Sequence, residues 1–91
     1  MNTTRPIAII GAGSIGLAWS IVFSRAGFPV QIYDPSADQL SHAKSAIAER
    51  LARLQHYGLL DEAPDALLAR ITLCHSEEAA VANAAHIQEN A

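Results

Sequence analysis

The apolar positions of this chain change period several times, and each change marks an element. Ile7 to Ile10 are apolar without alternation, the pattern of a strand covered on both faces and therefore central in a parallel sheet. Pro6 stands just before them, at a first strand position where a missing N–H is tolerated. From Ser14 to about Ala26 the residues Ile15, Ala18, Trp19, Val22, Phe23 and Ala26 recur on one helical face. Leu17 and Ile21 fall elsewhere, so this helix is expected to be apolar nearly all round and well buried. Its place in the stripe assigns Trp19 to the core rather than to stacking on a ligand. Gly27 is the expected C-terminal cap. Val30 to Tyr33 reads as a short, partly alternating second strand. Ser36 to about Tyr57 reads as a long helix, opened by a Ser36/Gln39 capping box and closed by Gly58. Leu40, Ala43, Ile47, Leu51 and Leu54 form its buried stripe, and Glu49 with Arg53 makes a favourable i,i+4 pair. Its polar face, with His42, Lys44 and Arg50, is expected to be solvated.

Asp61 to Arg70 predicts a short helix with Pro64 in its first turn and Asp65 and Arg70 matching the dipole. Ile71 to Cys74 is a third strand, whose alternation suits a position nearer the sheet edge. Ser76, Glu77 and Glu78 open a short Ala-rich helix reaching about Ala84. Ala85 to Glu89 begin a fourth strand. This alternation predicts an α/β fold of the Rossmann type: a doubly wound parallel sheet ordered 3-2-1-4, truncated after the fourth strand. The switch point then lies between strands one and four.

The turn leaving the first strand is Gly11-Ala12-Gly13-Ser14-Ile15-Gly16, a G-x-G-x-x-G between a strand and a helix. In such a turn Gly11 permits the tight bend, Gly13 lets backbone approach a pyrophosphate, and Gly16 lets helix and strand pack closely. Free N–H groups and the positive end of the helix dipole face the phosphates. Asp34 ends the second strand eighteen positions after Gly16, where an acid accepts hydrogen bonds from an adenosine ribose diol. The same carboxylate would repel a 2′-phosphate, and no Arg or Lys follows until Lys44, so NAD is favoured over NADP. A dinucleotide would lie across the strand ends, adenosine toward Asp34 and nicotinamide toward Glu89. The competing readings are a Gly-rich turn without a ligand and, for Asp34, a simple turn residue before Pro35.

Composition narrows the partners. The 91 residues carry a net charge of −3, with 51% hydrophobic and 16% charged residues. That is enough apolar content for one domain with a core, and no basic cluster calls for nucleic acid or an anionic membrane. No apolar run approaches the ~20 residues that span a bilayer. The first five residues run straight into the first strand with no signal-peptide pattern. Cys74 is the only cysteine, so a reducing, cytoplasmic setting is expected, with Cys74 a small apolar residue and not a nucleophile. The four histidines have no metal-site spacing, and no metal is expected. His86, in the fourth strand beside the expected crevice, is the one histidine placed to act as a base, and a structural role is the reading adopted for it.

These residues together resemble the N-terminal NAD-binding domain of the L-3-hydroxyacyl-CoA dehydrogenase family. The carriers are Gly11 to Gly16, the run Gly27-Phe28-x-Val30 into Tyr33-Asp34, the long helix with its extra helical segment, and Arg70-Ile71-Thr72 before an acidic, Ala-rich helix. Gly16-x-x-Trp19 and His86-Ile87-Gln88-Glu89 look closer to its lambda-crystallin / L-gulonate 3-dehydrogenase branch. The resemblance spans essentially the whole chain. It implies an oxidoreductase acting on an L-3-hydroxyacyl-CoA or a small L-3-hydroxy acid, with hydride passing to NAD and a homo-oligomeric parent. It implies cofactor contacts by Gly11, Ala12, Gly13, Ser14, Ile15, Gly16 and Asp34, with Glu89 beside the nicotinamide half. The family's catalytic His, its orienting Glu and its helical substrate and dimerisation domain lie later in its chains, so residues 1–91 are expected to bind NAD without catalysing. The other readings are a nucleotide-binding module and a crystallin-like structural protein. A fourth strand left at the sheet edge would make the isolated chain marginal or self-associating.

Overall fold

The computed structural model describes residues 5–90. Four parallel strands, β1 (Ile7–Ile10), β2 (Val30–Tyr33), β3 (Ile71–Leu73) and β4 (His86–Glu89), form one sheet in the order β3-β2-β1-β4. This is the predicted order, with β3 outermost on one side. The register is level: Ile7 pairs with Val30 and His86 at the amino end, and Ile10 with Tyr33 and Glu89 at the carboxyl end. Helices α1 (Ser14–Arg25), α2 (Ala37–His56) and α3 (Pro64–Ala69) pack together on one face. The short α4 (Glu77–Val81) packs against β1 and β2 from the other. That is the layering expected when β1→β2→β3 steps one way and β3→β4 returns past β1.

The core follows the strands. Ala8 and Ile9 of β1 are fully enclosed, as are Val30 and Ile32 of β2. Ile47 and Leu51 of α2, with Leu67 of α3 and Ile71 of β3, complete it. Each large apolar side chain so buried stabilises the fold by about 1.5–3 kcal/mol relative to an exposed one. At the start of α2 the Ser36 hydroxyl accepts from the Gln39 N–H at 3.2 Å, as the capping pattern requires. At the end of α1 the Gly27 N–H donates to Ser24 O and the Phe28 N–H to Phe23 O, the paired bonds of a Schellman close.

One expectation is inverted. The predicted core stripe of α1 faces outward: Ile15 is 66% exposed, Val22 52% and Trp19 37%. The buried side is Gly16, Leu17, Ser20, Ile21 and Ser24. Small residues on one side let the helix lie close to the sheet. The two serines need no outside partner, because Ser20 Oγ donates to Gly16 O at 2.9 Å and Ser24 Oγ to Ile21 O at 3.1 Å. Trp19 is therefore not a core residue; its ring stacks on Phe23 with centroids 5.7 Å apart. Two smaller differences concern α4, which ends at Val81 rather than near Ala84, and Arg53, which forms no ion pair with Glu49 among the described residues.

Arg70 does more than complement the dipole of α3. Its guanidinium grips Glu62 through two hydrogen bonds, 2.9 and 2.6 Å, and donates a third, 2.8 Å, to Ser24 O in the last turn of α1. It thus ties the α2–α3 connection to the negative end of α1. The hydrogen bond from Arg70 holds the Glu62 carboxyl below its ordinary 4.5. A lowered folded value means that the pair's contribution is complete above the ordinary carboxylate range and is lost as pH falls through the folded value. Glu62→Gln should therefore lower the urea midpoint at neutral pH, and the difference should shrink as pH falls through the folded value; a difference that stays the same as the pH is lowered would refute this assignment.

Candidate functional site

The level register puts the carboxyl ends of β1, β2 and β4 side by side. Gly11 leaves β1 there, its N–H donating to Tyr33 O at 2.8 Å. Its φ of +108° is one that L side chains rarely adopt. A Cβ there would also stand 3.0 Å from Asn90 O. At Gly16 the constraint is contact alone: a Cβ would lie 1.8 Å from Gly11 O, inside the backbone of the turn. Helix and strand can therefore cross at this height only over a glycine.

Gly13 is the N-cap of α1, and no side chain caps the helix. The first turn also holds no acidic residue. The N–H groups of Ser14, Ile15 and Gly16 open into this end of the sheet without an intrahelical acceptor, the arrangement that favours an anion. Gly13 has ordinary extended backbone, and a Cβ on it would meet only the end of the Gln39 side chain, at 3.1 Å.

Asp34 stands at the end of β2, where the spacing placed it. Its carboxylate is not idle: Oδ2 accepts from the Ala12 N–H and Oδ1 from the Ser36 N–H, both at 2.7 Å. It joins the glycine turn to the start of α2. It also takes the N–H that a complete capping box would give to Gln39, which leaves the Gln39 amide lying over Gly13. An ionised carboxylate has further lone pairs, so Asp34 can still accept from a diol while holding the turn.

A crevice of about 440 Å³ opens beside these groups, lined by Ile10, Tyr33, Asp34, Pro35, Glu77, Glu89 and Asn90. Asp34 and Glu89 thus stand on the same crevice, Glu89 level with Ile10 at the end of β4. Three carboxylates on its wall make it unfavourable for an added phosphate at the Asp34 end. A more apolar cavity of about 500 Å³ lies at the opposite, amino end of the sheet, against Ile7, Phe23, Phe28 and His86. That corrects the placement of His86. It begins β4 opposite Ile7, a strand's length from the glycine turn, with its ring 5.9 Å from Phe23 and Nε2 3.2 Å from Gln88 Oε1. His86 is outside the crevice. Cys74 is buried, and burial pushes its thiol up, as befits a packing residue.

Two residues with no expected part belong to this site. Asn90 follows β4, and its backbone N–H and side-chain amide both donate to Ile10 O, at 2.9 and 3.3 Å. It packs against Gly11 and Gly16 and closes the turn from the β4 side. The strand order held the signal, because a residue ending β4 must come to rest beside the one ending β1. Arg50 does more than face solvent: partly exposed, it reaches from α2 to Ser14, donating to Ser14 O at 3.1 Å and Ser14 Oγ at 2.9 Å.

The glycines should respond differently to substitution. Gly16→Ala should abolish the cooperative melt or lower its midpoint severely, because backbone must move. Gly13→Val should keep a melt close to the wild type while losing NADH binding in a fluorescence titration. Equal melting behaviour of the two variants would contradict this geometry.

The chain is similar to proteins of known type. The family described as "3-hydroxyacyl-CoA dehydrogenase, NAD binding domain" matches residues 6–91. The lambda-crystallin homolog of Rattus norvegicus is 35% identical over 85 residues, 91% of this chain and 27% of that protein. The L-carnitine dehydrogenase/betainyl-CoA thioesterase of Rhizobium meliloti is 37% identical over 91 residues, 99% of this chain and 18% of that protein. The crystal structure of (S)-3-hydroxybutyryl-CoA dehydrogenase from Ralstonia eutropha superimposes with a TM-score of 0.85 at 27% identity, covering 97% of this chain and 31% of that one. The chain spans about a quarter of the length of the lambda-crystallin relatives it matches. By its glycine turn, its sheet order and these likenesses, the chain belongs to the NAD-binding domain family of the 3-hydroxyacyl-CoA dehydrogenases.

Proposed function

We propose that this chain is the cofactor-binding part of an NAD-dependent oxidoreductase that converts an L-3-hydroxyacyl-CoA, or a small L-3-hydroxy acid, to its 3-keto product. The observation that carries the reading is the pairing of an uncapped, acid-free helix N-terminus with Asp34 at the next strand end, both at the switch point of the sheet. When bound, NAD would supply the hydride acceptor. The free N–H groups of Ser14, Ile15 and Gly16 would hold its pyrophosphate, while the Ala12 N–H stays engaged by Asp34; Asp34 would hold its adenosine ribose, and Glu89 would stand toward the nicotinamide half. The general base and the wall that holds substrate against the ring would come from a further, helical domain, which would also mediate self-association. The names of the relatives support this substrate class, since 3-hydroxybutyryl-CoA and L-carnitine both carry a 3-hydroxy group. The similarity to lambda-crystallin relatives favours a second reading, a protein that keeps the cofactor site without turnover.

NADH should bind more tightly than NADPH by over about tenfold, because a 2′-phosphate would face the Asp34 carboxylate. Asp34→Asn should weaken NADH and narrow that gap, both read by fluorescence titration. Equal affinities in the wild type would rule out the role given to Asp34. Full-length protein assayed with 3-hydroxybutyryl-CoA, L-gulonate and L-carnitine separates the two readings: NADH formation with one of them supports the oxidoreductase, and cofactor binding without turnover supports the second.

A further inference from the structure

We infer that Arg50 is a positioning residue for the diphosphate of the bound dinucleotide and that it acts through the Ser14 hydroxyl. The inference rests on the reading of the Gly11–Gly16 turn as the cofactor site and adds to it a side chain from outside the turn.

The first argument is hydrogen-bond inventory. A serine hydroxyl has one proton to donate and two lone pairs, and a guanidinium only donates. Arg50 Nη2 donates to Ser14 Oγ at 2.9 Å, and Nη1 to Ser14 O at 3.1 Å. With one lone pair of Oγ engaged, the orientation of the hydroxyl is restricted and its proton remains for an acceptor. Ser14 is the first residue of α1 and its side chain is exposed. An acceptor reaching the free N–H groups of the first turn therefore also meets this O–H.

The second argument is charge. A cation beside a helix N-terminus is ordinarily disfavoured, because the dipole already places positive charge there. No acid of the first turn of α1 offsets it. Among the described residues the one ion pair is Arg70 with Glu62, so no carboxylate oxygen lies within 4 Å of the Arg50 guanidinium. The carboxylate that serves this turn, Asp34, accepts from the N–H groups of Ala12 and Ser36 and forms no ion pair with Arg50. Two positive features thus converge on Ser14, and a bound anion is stabilised by both. A freely solvated arginine would not be held this way: Arg50 keeps two hydrogen bonds to one residue and lies along the groove beside Ala18, Ile21 and Leu54.

The test separates the diphosphate from the rest of the cofactor. ADP-ribose contains the diphosphate and adenosine does not. Their dissociation constants, with thermal melts in parallel, are measured by ligand-observed NMR on the full chain and on its Arg50→Ala, Arg50→Lys and Ser14→Ala variants. Arg50→Ala should weaken ADP-ribose about tenfold, the loss expected for a charge-assisted contact, and leave adenosine within about twofold with an unchanged melt. Its ADP-ribose affinity should also depend less on salt. Arg50→Lys should restore part of the loss, because an ammonium cannot span both Ser14 acceptors. Ser14→Ala combined with Arg50→Ala should cost little more than either alone, as expected for two members of one contact. Unchanged ADP-ribose affinity in Arg50→Ala would overturn the inference while the wild type still binds. Equal losses for both ligands with a lowered melt would overturn it in favour of a purely structural role. A wild type that binds neither ligand would overturn the cofactor reading itself and the inference with it.

Discussion

The contact between α1 and the turn leaving β1 sets the positions of everything else at the site. The helix crosses so close to Gly11 O that a single methyl at position 16 would lie 1.8 Å from it. That approach fixes the height of the helix N-terminus above the strand ends, and with it the aim of the free N–H groups. It also explains why the site lies at one end of β1 and not elsewhere on the sheet. The strand must be interior, covered on both faces, for the helix to be pressed onto it, and Ile7, Ala8 and Ile9 are enclosed accordingly.

Asp34 extends this constraint to the second βα unit. By accepting from Ala12 and Ser36 it links the first glycine turn to the start of α2. The carboxylate proposed for a ribose is thus also a structural member of the turn. α2 contributes again at Ser14 through Arg50 and over Gly13 through Gln39, so three segments distant in sequence converge on this turn.

Most of this architecture was legible from the sequence, for physical reasons that can be named. The unbroken apolar run Ile7 to Ile10 could only be an interior strand, and the right-handed crossover then ordered the others. Ser36, Gly27 and Gly58 marked helix ends because capping is local chemistry. The face of α1 was misread because apolarity was counted and contact distance was not. Close packing on a strand demands small residues, and Gly16, Ser20 and Ser24, four apart, carried that signal in plain sight. His86 was assigned to the wrong end of β4 because strand membership says nothing of level until the register is known. Arg50 was unreadable for a different reason: its reach to Ser14 depends on how α2 lies against α1, which no local pattern encodes.

The two sides of α1 therefore answer to different rules. On one, the spacing of glycine and serine works as a gauge that the turn geometry imposes, and any protein building this turn must respect it. On the other, the side chains of Ile15, Trp19 and Val22 are exposed and answer to no such close approach. Beyond Ile15, which belongs to the turn, substitution there is less constrained by the site, so sequence drift among proteins sharing this helix should concentrate on its outer side. A comparison of such helices by residue volume on the inner side, rather than by hydrophobicity overall, would distinguish those that hold a nucleotide turn from those that merely cover a sheet.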